Sequence, residues 1–407
     1  SLIAVIPGLP EMSIGTSTSP FPKTSTLFDI DNIKGDVKIT EFDGYEISEN
    51  EKKILLWNDS EGLYRHSFFA EFYVYDIMRQ TMKRVSTGGK QRCATMSHDG
   101  RKVAFVRENN IYISNLEYDT ETAVTKNGKT NQIINGAPDW GYEEEFGIVN
   151  TIRWSNDDNK LAYITFDESE VPMFEFDIYS GYCNPKKEYD LYPGQFEYKY
   201  PLAGFNNSIV SVNVYDVNYK ATKKMDIPMV DTDYIPSMEF GGSSDRLMVM
   251  VLNRDQNDLK IYNVNPSSTV AKLIYTETSK AWMSPSAYQM VVYNTNDFII
   301  GSDKSGYRHL SQLDYNGNIL YEYKENKEQV LKTKIRLRYD SFDHWSKCTE
   351  ALLEGEIAVA YLGPTKTTTS PDNGTHPVMF KVGPGKFNDL PWASALAADV
   401  YGWAKKE

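Results

Sequence analysis

Short runs of alternating or aromatic-rich residues dominate the chain up to about residue 325. Phe68-Phe69-Ala70-Glu71-Phe72-Tyr73-Val74-Tyr75, Ile111-Tyr112-Ile113, Met173-Phe174-Glu175-Phe176-Asp177-Ile178-Tyr179, Val210-Ser211-Val212-Asn213-Val214-Tyr215 and Leu247-Met248-Val249-Met250-Val251-Leu252 are each flanked by Asn, Asp, Gly or Pro. Such runs favour a pleated, half-buried backbone. No i, i+3, i+4, i+7 apolar pattern persists in this region, so it reads as all-β.

A loose repeat organises the strands. Ser97-His98-Asp99-Gly100-Arg101-Lys102 is a polar turn with basic residues that leads into the apolar Val103-Ala104-Phe105-Val106. Trp154-Ser155-Asn156-Asp157-Asp158-Asn159-Lys160 leads in the same way into Leu161-Ala162-Tyr163, with weaker copies from Ser48 and from Gly242. The steps from Ser48 to Ser97 and from Ser97 to Ser155 are 49 and 58 positions. That period fits four short strands with their turns, one blade of a β-propeller. A single blade cannot bury both of its faces, so several must pack radially. The expectation is a β-propeller of four-stranded blades over residues 45–325 rather than a generic β-sandwich, with an incomplete set of blades allowed. Residues 1–44 form an N-terminal segment of unclear structure.

The texture changes after Tyr321. Glu322 to Lys334 is charged, and Gly363 to Gly385 is rich in Gly, Pro and Thr. Asn388-Asp389-Leu390-Pro391 is a helix-start signal. Trp392, Leu396, Val400 and Trp403 then fall on one helical face. Residues 326–407 are expected to be a short mixed segment with one terminal helix that covers apolar surface.

Charge and composition narrow the function classes. With 43 Lys+Arg against 56 Asp+Glu the net charge is −13, which argues against nucleic acid or an anionic membrane surface as partner. No run approaches the ~18 apolar residues that span a bilayer. The opening Ser1-Leu2-Ile3-Ala4-Val5-Ile6, without an initiator Met, reads as a mature or trimmed chain. Cys93, Cys183 and Cys348 have neither metal-site nor disulfide-framework spacing and read as buried free thiols. His98, His309, His344 and His376 have no metal spacing either, so neither metal nor cofactor is expected. The sequons at Asn58, Asn206 and Asn373 are within chance.

The densest polar constellation is Asp139-Trp140-Gly141-Tyr142-Glu143-Glu144-Glu145-Phe146-Gly147. A strand would send alternate carboxylates to opposite faces. In a short helical turn neighbours lie only ~100° apart, so two of the three could converge. Two such carboxylates at the edge of a partly desolvated pocket suit a cation such as a free α-ammonium, at roughly 1.5–3 kcal/mol per charge-assisted hydrogen bond. A solvated acidic patch is the simpler alternative from the triplet alone.

The stretch Asn135 to Phe146 resembles the glutamate motif of the dipeptidyl peptidase IV family of serine exopeptidases. Its sequel, Trp154-Ser155 and Phe166-Asp167-Glu168-Ser169-Glu170-Val171-Pro172, is similar to the same family, as is Tyr64-Arg65-His66-Ser67 upstream. So are Tyr198-Lys199-Tyr200-Pro201-Leu202-Ala203-Gly204, Leu252-Asn253-Arg254 and Ser302-Asp303-Lys304-Ser305-Gly306-Tyr307-Arg308-His309-Leu310 downstream, in order from about residue 45 to 315. The resemblance implies an N-terminal β-propeller that works with an α/β-hydrolase domain. It further implies that Glu144 and Glu145 hold the free amino terminus of a peptide substrate, and that Arg65 holds the carbonyl between its first two residues. Gly141 departs from the family pattern, and the stretch before residue 45 matches poorly.

No Gly-x-Ser-x-Gly nucleophile elbow occurs in the sequence. The expectation is therefore a substrate-gating propeller that captures peptide N-termini for dipeptide release, with no catalytic residue of its own. The alternative is a non-catalytic propeller that recognises peptide or protein ligands. A lectin-like role for the 28 Tyr and 7 Trp is weaker than their placement in blade cores. The resemblance also implies a periplasmic or extracellular location; a second copy of the chain, in a homodimer, is an expected partner beside the peptide.

Overall fold

The computed structural model describes residues 2–4, 25–178, 194–283, 290–292, 296–306, 308–323, 338–349, 351–352, 357–361, 378–382 and 385–390. The chain divides into two compact units, Ser1–Tyr323 and Lys324–Glu407.

The first unit is a β-propeller whose blades are antiparallel meanders taken in chain order. Blade one comprises Gly44–Ile47, Lys53–Gly62, Phe68–Asp76 and Thr81–Arg84. Blade two comprises Arg92–Met96, Lys102–Arg107, Asn110–Asn115 and Thr120–Ala123. Blade four comprises Tyr234–Phe240, Leu247–Leu252, Asp258–Val264 and Ala271–Thr278, and blade five Met290–Val292, Asp297–Ser302, His309–Asp314 and Ile319–Tyr323.

Second strands lie between neighbouring blades and are covered on both faces, which is why they read as unbroken apolar runs. Leu247–Leu252 is buried at every position, whereas Ala221–Lys224, the last strand of blade three, is exposed throughout. One apolar cluster joins blades two, three and four through Val106, Ile134, Leu161, Val212 and Val249. A second joins blades one and two through Leu55, Phe72, Val103 and Phe105, and a third joins blades four and five through Met250, Ile261 and Phe298. Radial packing is thus what stabilises each sheet.

The sequence repeat is a hydrogen-bonded turn. The Ser48, Ser97 and Ser155 hydroxyls accept the backbone N–H of Lys53, Lys102 and Lys160 at 2.9–3.0 Å. Each hydroxyl also donates to the side chain two residues on, Asn50, Asp99 or Asp157. The turn closes the loop between the first and second strands of blades one, two and three. It also ties blades together: Asp158 accepts the N–H groups of His98 and Asp99, both at 2.9 Å.

Blade three breaks the four-stranded plan. Its sheet has five strands because the first is split into Ile133–Asn135 and Ile152–Trp154. Both pieces pair with Lys160–Asp167, the first along Thr165–Asp167 and the second along Leu161–Tyr163. The chain leaves the sheet at Gly136, whose N–H still reaches Ile164 O at 2.9 Å, and Thr151 N closes back on Gly136 O at 3.3 Å. Gly136 has φ +77°, and a Cβ there would press to 2.8 Å from Ile111, so glycine is required where the strand breaks. The excursion between these points carries a helix, Trp140–Phe146. A second excursion separates Lys160–Asp167 from Ile209–Asp216 and carries the hairpin Met173–Ile178 with Gly194–Lys199.

The second unit is mixed. Arg338–Ser341 pairs in parallel with Ile357–Tyr361, which pairs antiparallel with Val378–Val382. A short helix, Phe342–Lys347, follows the first of these strands, and Trp345 stacks on Phe387 with ring centroids 5.2 Å apart. Residues Phe387–Asp389 form a 3-10 turn. Trp392, Leu396, Val400 and Trp403, on which the expected terminal helix rests, lie outside the described residues.

Candidate functional site

The acidic triplet forms a helix, and its ends are specified locally. Asp139 is the N-cap, its Oδ1 accepting the Tyr142 N–H at 2.8 Å, while Oδ2 accepts the Ser208 hydroxyl. Gly147 ends the helix in the left-handed conformation, φ +67°, with its N–H on Glu143 O; Ile148 N donates to Tyr142 O. Tyr142 anchors the helix to the propeller: it is buried, packs edge-on against Phe166 with centroids 4.8 Å apart, and its hydroxyl accepts the Ile235 N–H of blade four at 2.9 Å. Burial pushes the Asp139 carboxyl and the Tyr142 hydroxyl up from their ordinary values.

Three successive helical residues spread over about 200°, so the carboxylates cannot all face one way. Glu143 is buried, and its Oε1 accepts the backbone N–H of His66 at 2.6 Å and of Ser67 at 2.9 Å. Glu144 is half-buried and meets Arg65 in a fork: Nε donates to Oε2 at 3.0 Å, and Nη2 lies 2.6 Å from Oε1. Glu145 is exposed and makes no hydrogen bond or ion pair with the described residues. Arg65 comes from the blade-one loop between Lys53–Gly62 and Phe68–Asp76, a tight turn closed by Leu63 N on Ser67 O at 2.9 Å. The structure therefore brings together two sequence-predicted residues, Arg65 and Glu144, from positions 79 apart, with Glu145 next along the helix. His66 presents an exposed ring, and only its backbone takes part in the contact.

Aromatic side chains flank this cluster. Trp140 lies 4.2 Å, centroid to centroid, from Tyr200 and 6.0 Å from Tyr198; Tyr198 also meets Tyr64, beside Arg65, at 6.1 Å. Burial raises the Tyr198 hydroxyl above its ordinary pKa, with the Glu144 charge adding to the effect. The Tyr234 ring packs against Phe146 with centroids 5.3 Å apart; its hydroxyl is raised by burial, and it feels Arg254 and the Glu145 charge. Arg254 donates to Asn207 Oδ1 at 2.6 Å and to Phe205 O, which fixes the return of the second excursion. Glu168, at the start of that excursion, is buried; desolvation, then the neighbouring Asp139 charge, push its carboxyl up to about 7.

Sequence reasoning did not find the anchoring roles of Tyr142, Glu143 and Ser208. The motif contained the first two, but only the split strand and the approach of blade one reveal what they hold.

The remaining candidates are structural. The Cys93 thiol donates to Val149 O at 3.2 Å, and burial pushes it up to about 11, an unreactive thiol; Cys183 lies outside the described residues. His98 Nδ1 lies 2.7 Å from Asp158 Oδ1, and this contact raises the imidazole pKa. No group of His, Cys, Asp and Glu able to hold a metal occurs among the described residues. No helix among them is long and apolar enough to cross a membrane.

The chain thus carries a β-propeller whose split blade presents an acidic helix to an arginine loop of another blade. The chain belongs to the family of the dipeptidyl peptidase IV N-terminal region, whose model matches residues 48–365. A probable dipeptidyl-aminopeptidase B of Aspergillus fumigatus is 30% identical over 282 residues, covering 65% of this chain and 30% of that protein. Another, from Emericella nidulans, is 32% identical over 247 residues, covering 58% and 27%. The crystal structure of Porphyromonas gingivalis dipeptidyl peptidase 4 superposes with a TM-score of 0.68 at 39% identity, covering 74% of this chain and 42% of that one. The chain spans about a third of the length of the curated relatives it matches.

Proposed function

We propose that this propeller gates substrate for a dipeptidyl peptidase IV-like serine exopeptidase and holds the free amino terminus of a peptide at Glu144 and Glu145. The observation that carries the reading is the forked pairing of Arg65 with Glu144 beside the exposed Glu145. Arg65, Glu144 and Glu145 carry a formal charge of +1 −1 −1 = −1, which a ligand ammonium would balance. The guanidinium orients Glu144 and has further N–H donors beyond those it gives Glu144, suited to the first peptide carbonyl. Acyl transfer would be performed by a hydrolase domain outside these 407 residues, since dipeptide release requires the amine to be held while a nucleophile attacks two residues away. The names of the relatives, dipeptidyl-aminopeptidase and dipeptidyl peptidase, agree with peptides as substrates.

Calorimetry on the 407-residue chain tests this with a free-amino dipeptide and its N-acetylated form. The free form binds more tightly. Glu144→Ala or Glu145→Ala weakens it by about one to two orders of magnitude, the scale of one or two lost charge-assisted hydrogen bonds. Equal affinity for the two forms, or mutants that bind as the parent does, would overturn the reading.

A further inference from the structure

We infer that Glu143, the first glutamate of the triplet, is a positioning residue that sets the spacing between Arg65 and Glu144, and so determines whether the site can hold a peptide amine. The inference rests on the reading of Glu144 and Glu145 given above. Arg65 sits in the loop after Gly62, Glu144 on an excursion of blade three, and the two belong to different sheets. Their own pairing is a weak link, because the Arg65 side chain is 66% exposed and exposed ion pairs contribute little. The contact that fixes the distance is the buried one. Glu143 is 2% exposed, and its Oε1 accepts the N–H groups of His66 and Ser67, the two residues that follow Arg65. A carboxylate with two backbone donors converging on one oxygen fixes the loop in height and tilt, which a single hydrogen bond could not do. The next residue on the helix is Glu144, so one rigid turn carries both the clamp and the group that Arg65 meets.

Oε2 of Glu143 and the Ser67 hydroxyl are buried without a hydrogen-bond partner among the described residues. An amide nitrogen in place of Oε2 therefore breaks no bond, and the amide oxygen of Gln can accept the same two N–H groups. Aspartate keeps the charge but falls one methylene short of them. Geometry and charge can thus be separated.

The test uses the 407-residue chain, the dipeptide pair described above, and amide hydrogen exchange at His66 and Ser67. Glu143→Gln keeps both amides protected and keeps dipeptide affinity within about threefold. Glu143→Asp and Glu143→Ala lose the protection and weaken the free-amino dipeptide by about tenfold or more, with circular dichroism unchanged. Aspartate behaving as the parent while glutamine fails would overturn the positioning role in favour of charge. Full protection of both amides in the alanine variant would overturn it outright, as would parental affinity. Should the alanine variant not fold, the Gln and Asp pair decides. Parental chain that cannot tell the free from the acetylated dipeptide instead refutes the ammonium site, and the exchange result still decides the clamp.

Discussion

Blades two and three are built from the same grammar and differ in what interrupts it. Blade two runs from Arg92 to Ala123 as four strands joined by short turns. Blade three runs from Ile133 to Lys224 and opens twice, once within its first strand and once between Asp167 and Ile209. The first opening lies opposite Ile164, part-way along the second strand, and the second follows that strand's last residue, Asp167. The two excursions meet each other: Trp140 packs against Tyr200, and Asp139 accepts the Ser208 hydroxyl. A complete blade gives the propeller a rigid wall. A blade whose strand order survives interruption can present chemistry at its rim while its core still pays the cost of folding.

The largest effect expected from this contrast comes from two matched core truncations. Phe105 in blade two and Phe166 in blade three are both 0% exposed on second strands. Either changed to alanine costs about 3–5 kcal/mol of stability. Phe166 also packs against Tyr142 of the acidic helix, so Phe166→Ala additionally weakens binding of a free-amino dipeptide, whereas Phe105→Ala leaves it unchanged. Chemical denaturation together with calorimetry measures both, and equal binding losses would erase the distinction between wall and rim.

A smaller effect comes from the start of the second excursion. Glu168 has its carboxyl raised from 4.5 to about 7 by burial, chiefly, and by Asp139. A carboxyl raised in the folded state takes up protons more readily than in the unfolded chain. Its contribution therefore falls as pH climbs from about 4.5 to 7, by up to ~3 kcal/mol. Glu168→Gln removes that loss, so the variant is more stable than the parent at pH 8 and nearly equal at pH 4. Parallel stability curves for the two proteins over that range would contradict the assignment.

The smallest concerns Gly141. It lies inside the helix, and a Cβ would meet Asp139 and Pro201 no closer than 3.7 Å, ordinary contact. Gly141→Ala should stabilise the chain by about 0.5–1 kcal/mol in thermal melts without changing dipeptide affinity. A loss of affinity would mean that the helix must flex in order to bind.

The same contrast explains what the sequence could convey. The second strands are legible because burial on both faces leaves an apolar run such as Leu247–Leu252, and the turns are legible because Ser97 and Ser155 recur before a basic residue and a strand. The propeller and the short helix at the glutamates were therefore within reach. The split of blade three's first strand was not, since Ile133–Asn135 and Ile152–Trp154 are three residues each and acquire meaning only from sharing the partner Lys160–Asp167. Nor could periodicity assign different tasks to three identical neighbours. Glu143 is buried and Glu145 exposed because a loop from blade one arrives on one side of the helix, and that is a long-range fact.

A crystal structure of the 407-residue chain bound to a free-amino dipeptide tests the central claim most directly. The account predicts the ligand nitrogen at about 3 Å from carboxylate oxygens of both Glu144 and Glu145, with Arg65 on the first carbonyl oxygen. A dipeptide bound with its amine in bulk solvent, or seated away from these three side chains, would contradict it.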